Sequence, residues 1–303
     1  MDVYGVLMPF CFLGAYMLLE AADWGLALAA PFVSRNEEEN KAILGLWKPG
    51  LDGNELWLFM GLIVLGTGIS GWEHSLPSML LMGLAAAGAV LRLAACFGQK
   101  MFGSSVVMKG MSAFSFAAVF VMGLAFTSGL NEGGTLFSGM GVVCGLWLLL
   151  AAFQMGALYG AVKVINPLGE RFRAAFLVSG ILEFVLFLVT AGMLYVFAGD
   201  LYQYGMLLYG SLGGAVVCFL VAFVLTRMRH ASVGLAAGYL SMLFALALVF
   251  TSVASVLYVY QEIKAPEAAP MAMLGVAAVW SLTAWGWRLF RKKESYVWDD
   301  YAG

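Results

Sequence analysis

Long apolar runs separated by short polar breaks dominate this sequence. Nine of the runs reach about 20 residues, the length that a helix needs to cross a bilayer. The breaks contain Pro and Gly, which end helices, as in Lys48-Pro49-Gly50 and Asn166-Pro167-Leu168-Gly169. The pattern predicts an all-α integral membrane protein with about nine transmembrane helices, near residues 5–32, 55–73, 77–98, 113–130, 137–161, 175–198, 204–226, 232–260 and 270–290.

Composition excludes several classes of protein. Of the 303 residues, 62% are hydrophobic and 11% are charged, and the mean hydropathy is +0.90. A soluble domain has about 45–50% apolar and about 25% charged residues, so this chain is not a soluble globular enzyme. Its formal net charge of −2 gives no basic surface for nucleic acid.

Lys and Arg fall in alternate loops, and the cytoplasmic loops of membrane proteins carry the excess of these residues. With the N-terminus outside, Lys264 is the one basic residue of the outer loops, and Arg92 lies within a helix. This predicts an external N-terminus and a cytoplasmic C-terminus. The predicted inner set is Arg35, Lys41, Lys48, Lys100, Lys109, Lys163, Arg171, Arg173, Arg227, Arg229, Arg288, Arg291, Lys292 and Lys293.

The connections between the apolar runs are short, and the longest covers about 33–54. The chain is therefore predicted to form a single polytopic membrane domain over 1–303. Two repeats of four helices, 1–130 and 137–260, with an extra helix at 270–290, are compatible with the pattern, although the two halves are only faintly similar.

Charged side chains inside a bilayer are costly, so they are candidates for function. Glu20 and Asp23 are three residues apart on the first helix and share a face, and Asp52 and Glu55 have the same spacing at the start of the second. Arg92 lies late in the third helix. Because it is too deep to reach water, it is expected to pair with Asp52 or, failing that, with Glu20 or Asp23. All five fall in the cytoplasmic half of the membrane.

The residues alone leave this cluster open to more than one interpretation. Buried carboxylates beside a cation can pass protons, which predicts a proton or cation path from the cytoplasm. Equally, the charges can be ion pairs that hold three helices together. A third interpretation makes Asp52 and Glu55 a solvated helix start, since acids favour that end of the helix dipole.

Other polar residues give weaker signals. Glu183 lies alone in the middle of the sixth predicted helix, where it is a second relay carboxylate or, as we favour, a protonated side chain bonded to a neighbour. His74 and His230 lie at opposite helix ends and cannot share a metal or act as paired haem ligands. The Cys residues lie in apolar runs without paired spacing, so neither a disulfide nor a zinc site is indicated.

Motifs for nucleotide binding or metalloprotease chemistry are absent from the sequence. A stand-alone secondary transporter with an acidic intramembrane site is the alternative function. Such transporters bind substrate near the midplane at broken helices, whereas the acids here cluster toward the predicted inner face.

Residues 19–57 contain an ordered set of motifs that resembles subunit II of cytochrome bd-type quinol oxidases. The Asp-Gly-Asn-Glu-Leu-Trp core of this family is intact, while Ala21, Asn40 and Leu51 replace the usual Gly, Arg and Trp. The motifs are Leu19-Glu20-Ala21-Ala22-Asp23-Trp24-Gly25, Arg35-Asn36-Glu37-Glu38-Glu39 and Lys48-Pro49-Gly50-Leu51-Asp52-Gly53-Asn54-Glu55-Leu56-Trp57-Leu58.

The resemblance extends over the whole chain and implies a role within an enzyme complex. Subunit II pairs with a haem-bearing subunit I of related fold, which oxidises quinol and reduces oxygen to water at haems b and d. This chain is therefore expected to carry no catalytic residue, no metal and no haem ligand of its own. Subunit II supports subunit I, sometimes holds a structural quinone, and helps to form a cytoplasmic proton path.

The resemblance also implies partners and site residues. Asp52 matches the acid that family accounts place on the proton path, and Glu20 and Asp23 match the two acids of the first-helix motif. Arg92 matches a family Arg on the third helix, and Glu55 joins the path by its spacing from Asp52. Quinol, lipid and small single-helix accessory subunits are further expected partners, in the cytoplasmic (inner) membrane of a bacterium or archaeon.

Overall fold

The protein is a bundle of helices. The computed structural model describes residues 3–46, 54–68, 101–127, 137–164, 167–198 and 205–260, together with residues 80, 83 and 87. Its helices are α1 (Val3–Val33), α2 (Glu37–Leu46), α3 (Asn54–Gly68), α4 (Ser104–Thr127), α5 (Gly139–Lys163), α6 (Pro167–Ala198), α7 (Gly205–Arg227) and α8 (Ala231–Tyr260).

Six of the described helices, α1 and α4 to α8, are long and apolar enough to cross a membrane. Each coincides with one of the predicted apolar runs, and α3 lies within the second run. The predicted spans near 77–98 and 270–290 fall outside the described residues, apart from residues 80, 83 and 87, which are helical. The all-helical membrane architecture is therefore seen, for the part of the chain that the structure describes.

Two predicted boundaries are wrong, and one predicted connection contains a helix. Helix α4 begins at Ser104 and not near 113, and α6 begins at Pro167 and not near 175. Both helices open with polar turns that lie outside the apolar window, and Pro167 suits a first helical position because its fixed φ and missing N–H cost nothing there. The connection predicted over 33–54 contains α2.

Helices α1 and α5 form the centre of the bundle. Helix α1 packs against α3, α4, α5 and α8, and α5 packs against α1, α4, α6 and α8. The closest approach lies at Gly25 of α1 and Gly156 of α5, where a Cβ atom on either residue would overlap the backbone of the other helix. Small residues permit such close packing in a membrane, where no hydrophobic effect drives helices together.

The outer helices present apolar side chains to their surroundings. Val178 and Ile181 of α6 are 78% and 68% exposed, and Met206 and Val217 of α7 are 92% and 60% exposed. Such side chains are compatible with lipid or a partner subunit and not with water. The exposed surfaces of α6 and α7 are thus suited to a hydrocarbon environment, as the composition predicts.

Candidate functional site

Two acids of the first helix are buried near the centre of the bundle. Glu20 is 0% exposed and Asp23 is 2% exposed. The Nδ2 atom of Asn54, the first residue of α3, donates a hydrogen bond of 2.7 Å to the Glu20 Oε1 atom. The structure therefore brings the first-helix motif and the Asp-Gly-Asn-Glu motif into direct contact.

This contact fixes the depth at which α3 begins. Glu20 lies 13 residues before the end of α1 at Val33, which is about 20 Å along the helix axis at about 1.5 Å per residue. Asn54 is 1% exposed, so α3 begins within the bundle and not at a solvated surface. A polar group buried there needs a hydrogen-bond partner, and the Glu20 carboxyl supplies one.

The remaining residues of the predicted cluster are only partly described. Glu55 is the second residue of α3, but its side chain lies outside the described part of the structure. Asp52 and Arg92 also lie outside the described residues. The pairing of Arg92 with one of the acids therefore stays a prediction.

Glu183 is a further buried carboxyl, in the middle of α6. The Nε1 atom of Trp147 on α5 donates to Glu183 Oε1 at 3.1 Å. Two turns along α5, the Gln154 Nε2 atom donates to the Phe176 carbonyl at 3.1 Å and to the Ser179 hydroxyl at 2.7 Å. Glu183 thus belongs to a row of polar contacts that joins α5 to α6. These side chains are different from Glu20 and Asn54, which join α1 to α3.

A small cavity adjoins this row of contacts. Its volume is about 30 Å³, and its lining includes Glu183, Gln154 and Ser241. The Gln154 Oε1 atom is buried and has no protein hydrogen-bond partner. A cavity of this size holds a water molecule or two and is far below the roughly 300–1,000 Å³ of small-molecule sites. A quinone ring does not fit it.

Side-chain contacts join helix α2 to α4 and to α6. The Asn36 Oδ1 atom accepts from the Glu39 N–H at 2.8 Å and caps the helix, while Glu39 Oε2 accepts from the Arg35 N–H at 2.6 Å. Glu39 also forms an ion pair with Arg171 of α6. Asn40 donates to the Ser105 hydroxyl of α4 at 2.9 Å.

Glu37 caps α4 from a distance in sequence. Its carboxylate accepts from the backbone N–H of Ser104 at 2.5 Å and from the Ser104 hydroxyl at 2.6 Å. It also accepts from the Ser105 N–H at 3.2 Å. These bonds lower the pKa of Glu37 from 4.5 to about 2. Since the first N–H groups of a helix lack intrahelical partners, a carboxylate there satisfies them.

Replacing Glu37 with Gln should reduce the thermal stability of the protein in a pH-dependent way. Because the folded pKa of Glu37 is depressed, its stabilising contribution is present above about pH 4.5 and is lost as the pH falls toward about 2. The difference in Tm between the native protein and the Glu37→Gln variant should be constant from about pH 5 to 8 and shrink below that range. A Glu38→Gln variant, which changes an exposed acid of the same helix, is the control. Equal Tm differences at pH 3 and pH 7 would contradict the assignment.

One end of the bundle, which we name the basic end, collects positive charge. The Glu39–Arg171 pair joins α2 to α6, and Arg229 lies 3.8 Å from Glu170 of α6. The described members of the predicted inner set lie at or near the helix ends of α1, α2 and α4 to α7. They are Arg35, Lys41, Lys109, Lys163, Arg171, Arg173, Arg227 and Arg229.

Metal ligands are not grouped in the described part of the chain. Within it, no three His, Cys, Asp or Glu side chains lie close enough together to hold a metal ion. His230 is exposed in the turn between α7 and α8, and His74 lies outside the described residues. Cys11, Cys144 and Cys218 are free thiols.

Sequence reasoning missed α2 and the contacts that it makes. Asn36 followed three residues later by Glu39 is typical of a helix N-terminus, and three acids in the first turn strengthen that signal. The partners of Glu20 and Glu183 carry no such local signal, because Asn54 and Trp147 are 34 and 36 residues away along the chain.

Comparisons with known proteins agree with the sequence motifs. A model of the family described as cytochrome bd terminal oxidase subunit II matches residues 1–290. The cytochrome bd ubiquinol oxidase subunit 2 of Bacillus subtilis (strain 168) is 24% identical in an alignment 201 residues long, and the alignment covers 57% of this chain. The alignment covers 56% of the Bacillus subtilis protein, so this chain spans about half the length of that relative.

A solved structure shares the fold. The bd oxidase from Geobacillus thermodenitrificans contains a chain that superposes with a TM-score of 0.67 at 14% sequence identity. The match covers 93% of this chain and 94% of that one. The helical arrangement described above is therefore that of a chain of a bd oxidase.

Proposed function

This chain belongs to the cytochrome bd terminal oxidase subunit II family, and on that basis we propose that it is the subunit without haem in a quinol:oxygen oxidoreductase. It scaffolds a haem-bearing subunit I and contributes a path for protons consumed when oxygen is reduced to water. The observation that carries the proposal is the family match over residues 1–290, supported by a fold match over 93% of the chain.

The redox chemistry is assigned to the partner subunit. Haems b and d supply electron transfer and oxygen reduction there. Within this chain, the described histidine His230 is exposed in a turn, and the internal cavity beside Glu183 is too small for a quinone ring. We therefore assign no haem and no catalytic residue to the described part of this chain, and we place the structural quinone of the family outside the cavity beside Glu183.

The proton path is assigned to the acids of the first two helices. Protons enter at the basic end, which faces the cytoplasm, and reach Glu20 and Asp23 by way of Asp52 and Glu55. The support for this route is the buried Asn54–Glu20 hydrogen bond, which brings the start of α3 against the acids of α1. Arg92 provides a positive charge that keeps a buried acid able to ionise.

The proposed setting is the cytoplasmic (inner) membrane of a bacterium or archaeon. Nine spans, an external N-terminus and a cytoplasmic C-terminus complete the topology, with repeats over 1–130 and 137–260 and an extra helix at 270–290. Small single-helix subunits and lipid cover part of the exposed apolar surface of α6 and α7. Glu183 stabilises the packing of α5 against α6 through its hydrogen bond with Trp147.

An Asp52→Asn variant tests the path directly. Asn keeps the size of the side chain but cannot release a proton, so oxygen reduction by the complex should slow by about tenfold or more. Assembly and haem content should stay at the native level, measured from the visible spectrum of purified complex. Glu38→Gln is the matched control, because Glu38 is an exposed acid of α2. Full activity of Asp52→Asn would refute the path, and loss of the complex would assign Asp52 to structure.

A further inference from the structure

A groove at the basic end has the features of an anion site. It lies where α1 ends and where α2 and α4 begin, and its volume is about 240 Å³. Ser34, Arg35, Asn40, Ser105 and Lys109 contribute to its lining. Two of these side chains are cationic and come from segments about 70 residues apart in the sequence.

The two cations have no ion-pair partner in the part of the chain that the structure describes. Among the described residues, neither Arg35 nor Lys109 forms an ion pair, although both are exposed at the mouth of the groove. Two of the three acids of the first turn of α2 are engaged elsewhere, because Glu37 binds Ser104 and Ser105 and Glu39 binds Arg171, while Glu38 is exposed to solvent. Two uncompensated positive charges beside one groove attract an anion.

The depth of the groove points to a ligand in the membrane. The apolar span of α1 ends at Val33 and that of α4 begins at Ser104, so the groove lies at the level of the lipid headgroups. Its neighbours in sequence are large apolar side chains that point outward, with Phe32 77% exposed and Val106 59% exposed. Charge at headgroup level beside exposed apolar surface suits a molecule with an anionic head and acyl chains.

We propose that the groove between Arg35 and Lys109 binds the phosphate group of an anionic membrane phospholipid. Arg35 and Lys109 contact the phosphate, and the Asn40–Ser105 pair forms a polar wall beside it. The acyl chains run along Phe32 and Val106. This site is independent of the proton path and of the proposed redox role.

The test is lipid titration of the intact, delipidated complex, followed by native mass spectrometry. Phosphatidylglycerol and phosphatidylcholine with identical acyl chains are compared. The double variant Arg35→Gln/Lys109→Gln should bind phosphatidylglycerol about tenfold more weakly, since each basic residue near a membrane surface contributes appreciably to anionic lipid binding. Phosphatidylcholine binding should not change. Lys41→Gln, which alters an exposed cation of α2 outside the groove lining, is the matched control.

Other results of the titration would contradict the proposal. Displacement of phosphatidylglycerol by millimolar inorganic phosphate would overturn the lipid assignment, because the groove would then be a site for a free anion. Unchanged phosphatidylglycerol affinity in the double variant, or an equal loss in Lys41→Gln, would overturn the site. The melting temperature of each variant checks its fold, and the single variants Arg35→Gln and Lys109→Gln repeat the comparison if the double variant is unstable.

Discussion

Replacing Gly25 or Gly156 with Ala should reduce the amount of assembled complex in membranes by about tenfold. A Cβ atom at Gly25 would overlap the Ala152 carbonyl oxygen and the backbone of Gly156, and a Cβ at Gly156 would overlap the backbone of Gly25 and Leu26. Because these atoms belong to backbone and not to flexible side chains, α1 and α5 must move apart at the centre of the bundle. Haem absorbance per unit of membrane protein measures assembly.

The control for this prediction is another helical glycine replaced in the same way. A Cβ atom at Gly210 of α7 would meet no atom within 4 Å, so Gly210→Ala should assemble normally. The same holds for Gly192 of α6. Normal assembly of Gly25→Ala and Gly156→Ala would show that the two central helices are not packed as described.

Substitutions of Glu20 distinguish a role in proton transfer from a role in the structure. Gln at this position still offers an oxygen to the Asn54 Nδ2 atom, so the buried hydrogen bond of 2.7 Å can be kept. It cannot release a proton, and oxygen reduction by the Glu20→Gln complex should fall by about tenfold or more. Glu20→Ala should in addition destabilise the complex, because it leaves the buried Asn54 amide without a partner.

Glu183→Gln is the matched control, since Glu183 is also buried and also accepts a hydrogen bond from one N–H donor. Because Glu183 lies outside the proposed proton path, the Glu183→Gln complex should reduce oxygen at the native rate. Native turnover in Glu20→Gln combined with poor assembly of Glu20→Ala would assign Glu20 to structure. Loss of turnover in Glu183→Gln would instead extend the proton path to α6.

The helices could be predicted because the pattern that makes them is local. An apolar run of membrane length must satisfy its own backbone hydrogen bonds, and in lipid only a helix does so within one segment. The same argument placed the starts of α4 and α6 too late, because it considers only the apolar run and both helices begin with polar residues before that run. Helix α2 was not predicted because its sequence is polar, and a search for apolar runs does not detect a polar helix.

The candidate site was predicted in part. The apolar surroundings of Glu20, Asp23 and Glu183 in the sequence predicted charged groups within the bundle, and all three are buried. Their partners could not be predicted, because Asn54 and Trp147 meet them through the packing of separate helices. The contacts of Glu37 and Glu39 could not be predicted for the same reason, since their partners Ser104 and Arg171 are distant in sequence.

The reduced-minus-oxidised visible spectrum of the gently purified chain tests the central proposal most directly. The account predicts bands of haems b and d together with a second multi-helix polypeptide, because it assigns the haems to the partner subunit. A colourless preparation of this chain alone, obtained under conditions shown not to dissociate the complex, would contradict membership in an oxygen-reducing assembly. That result would favour the stand-alone transporter.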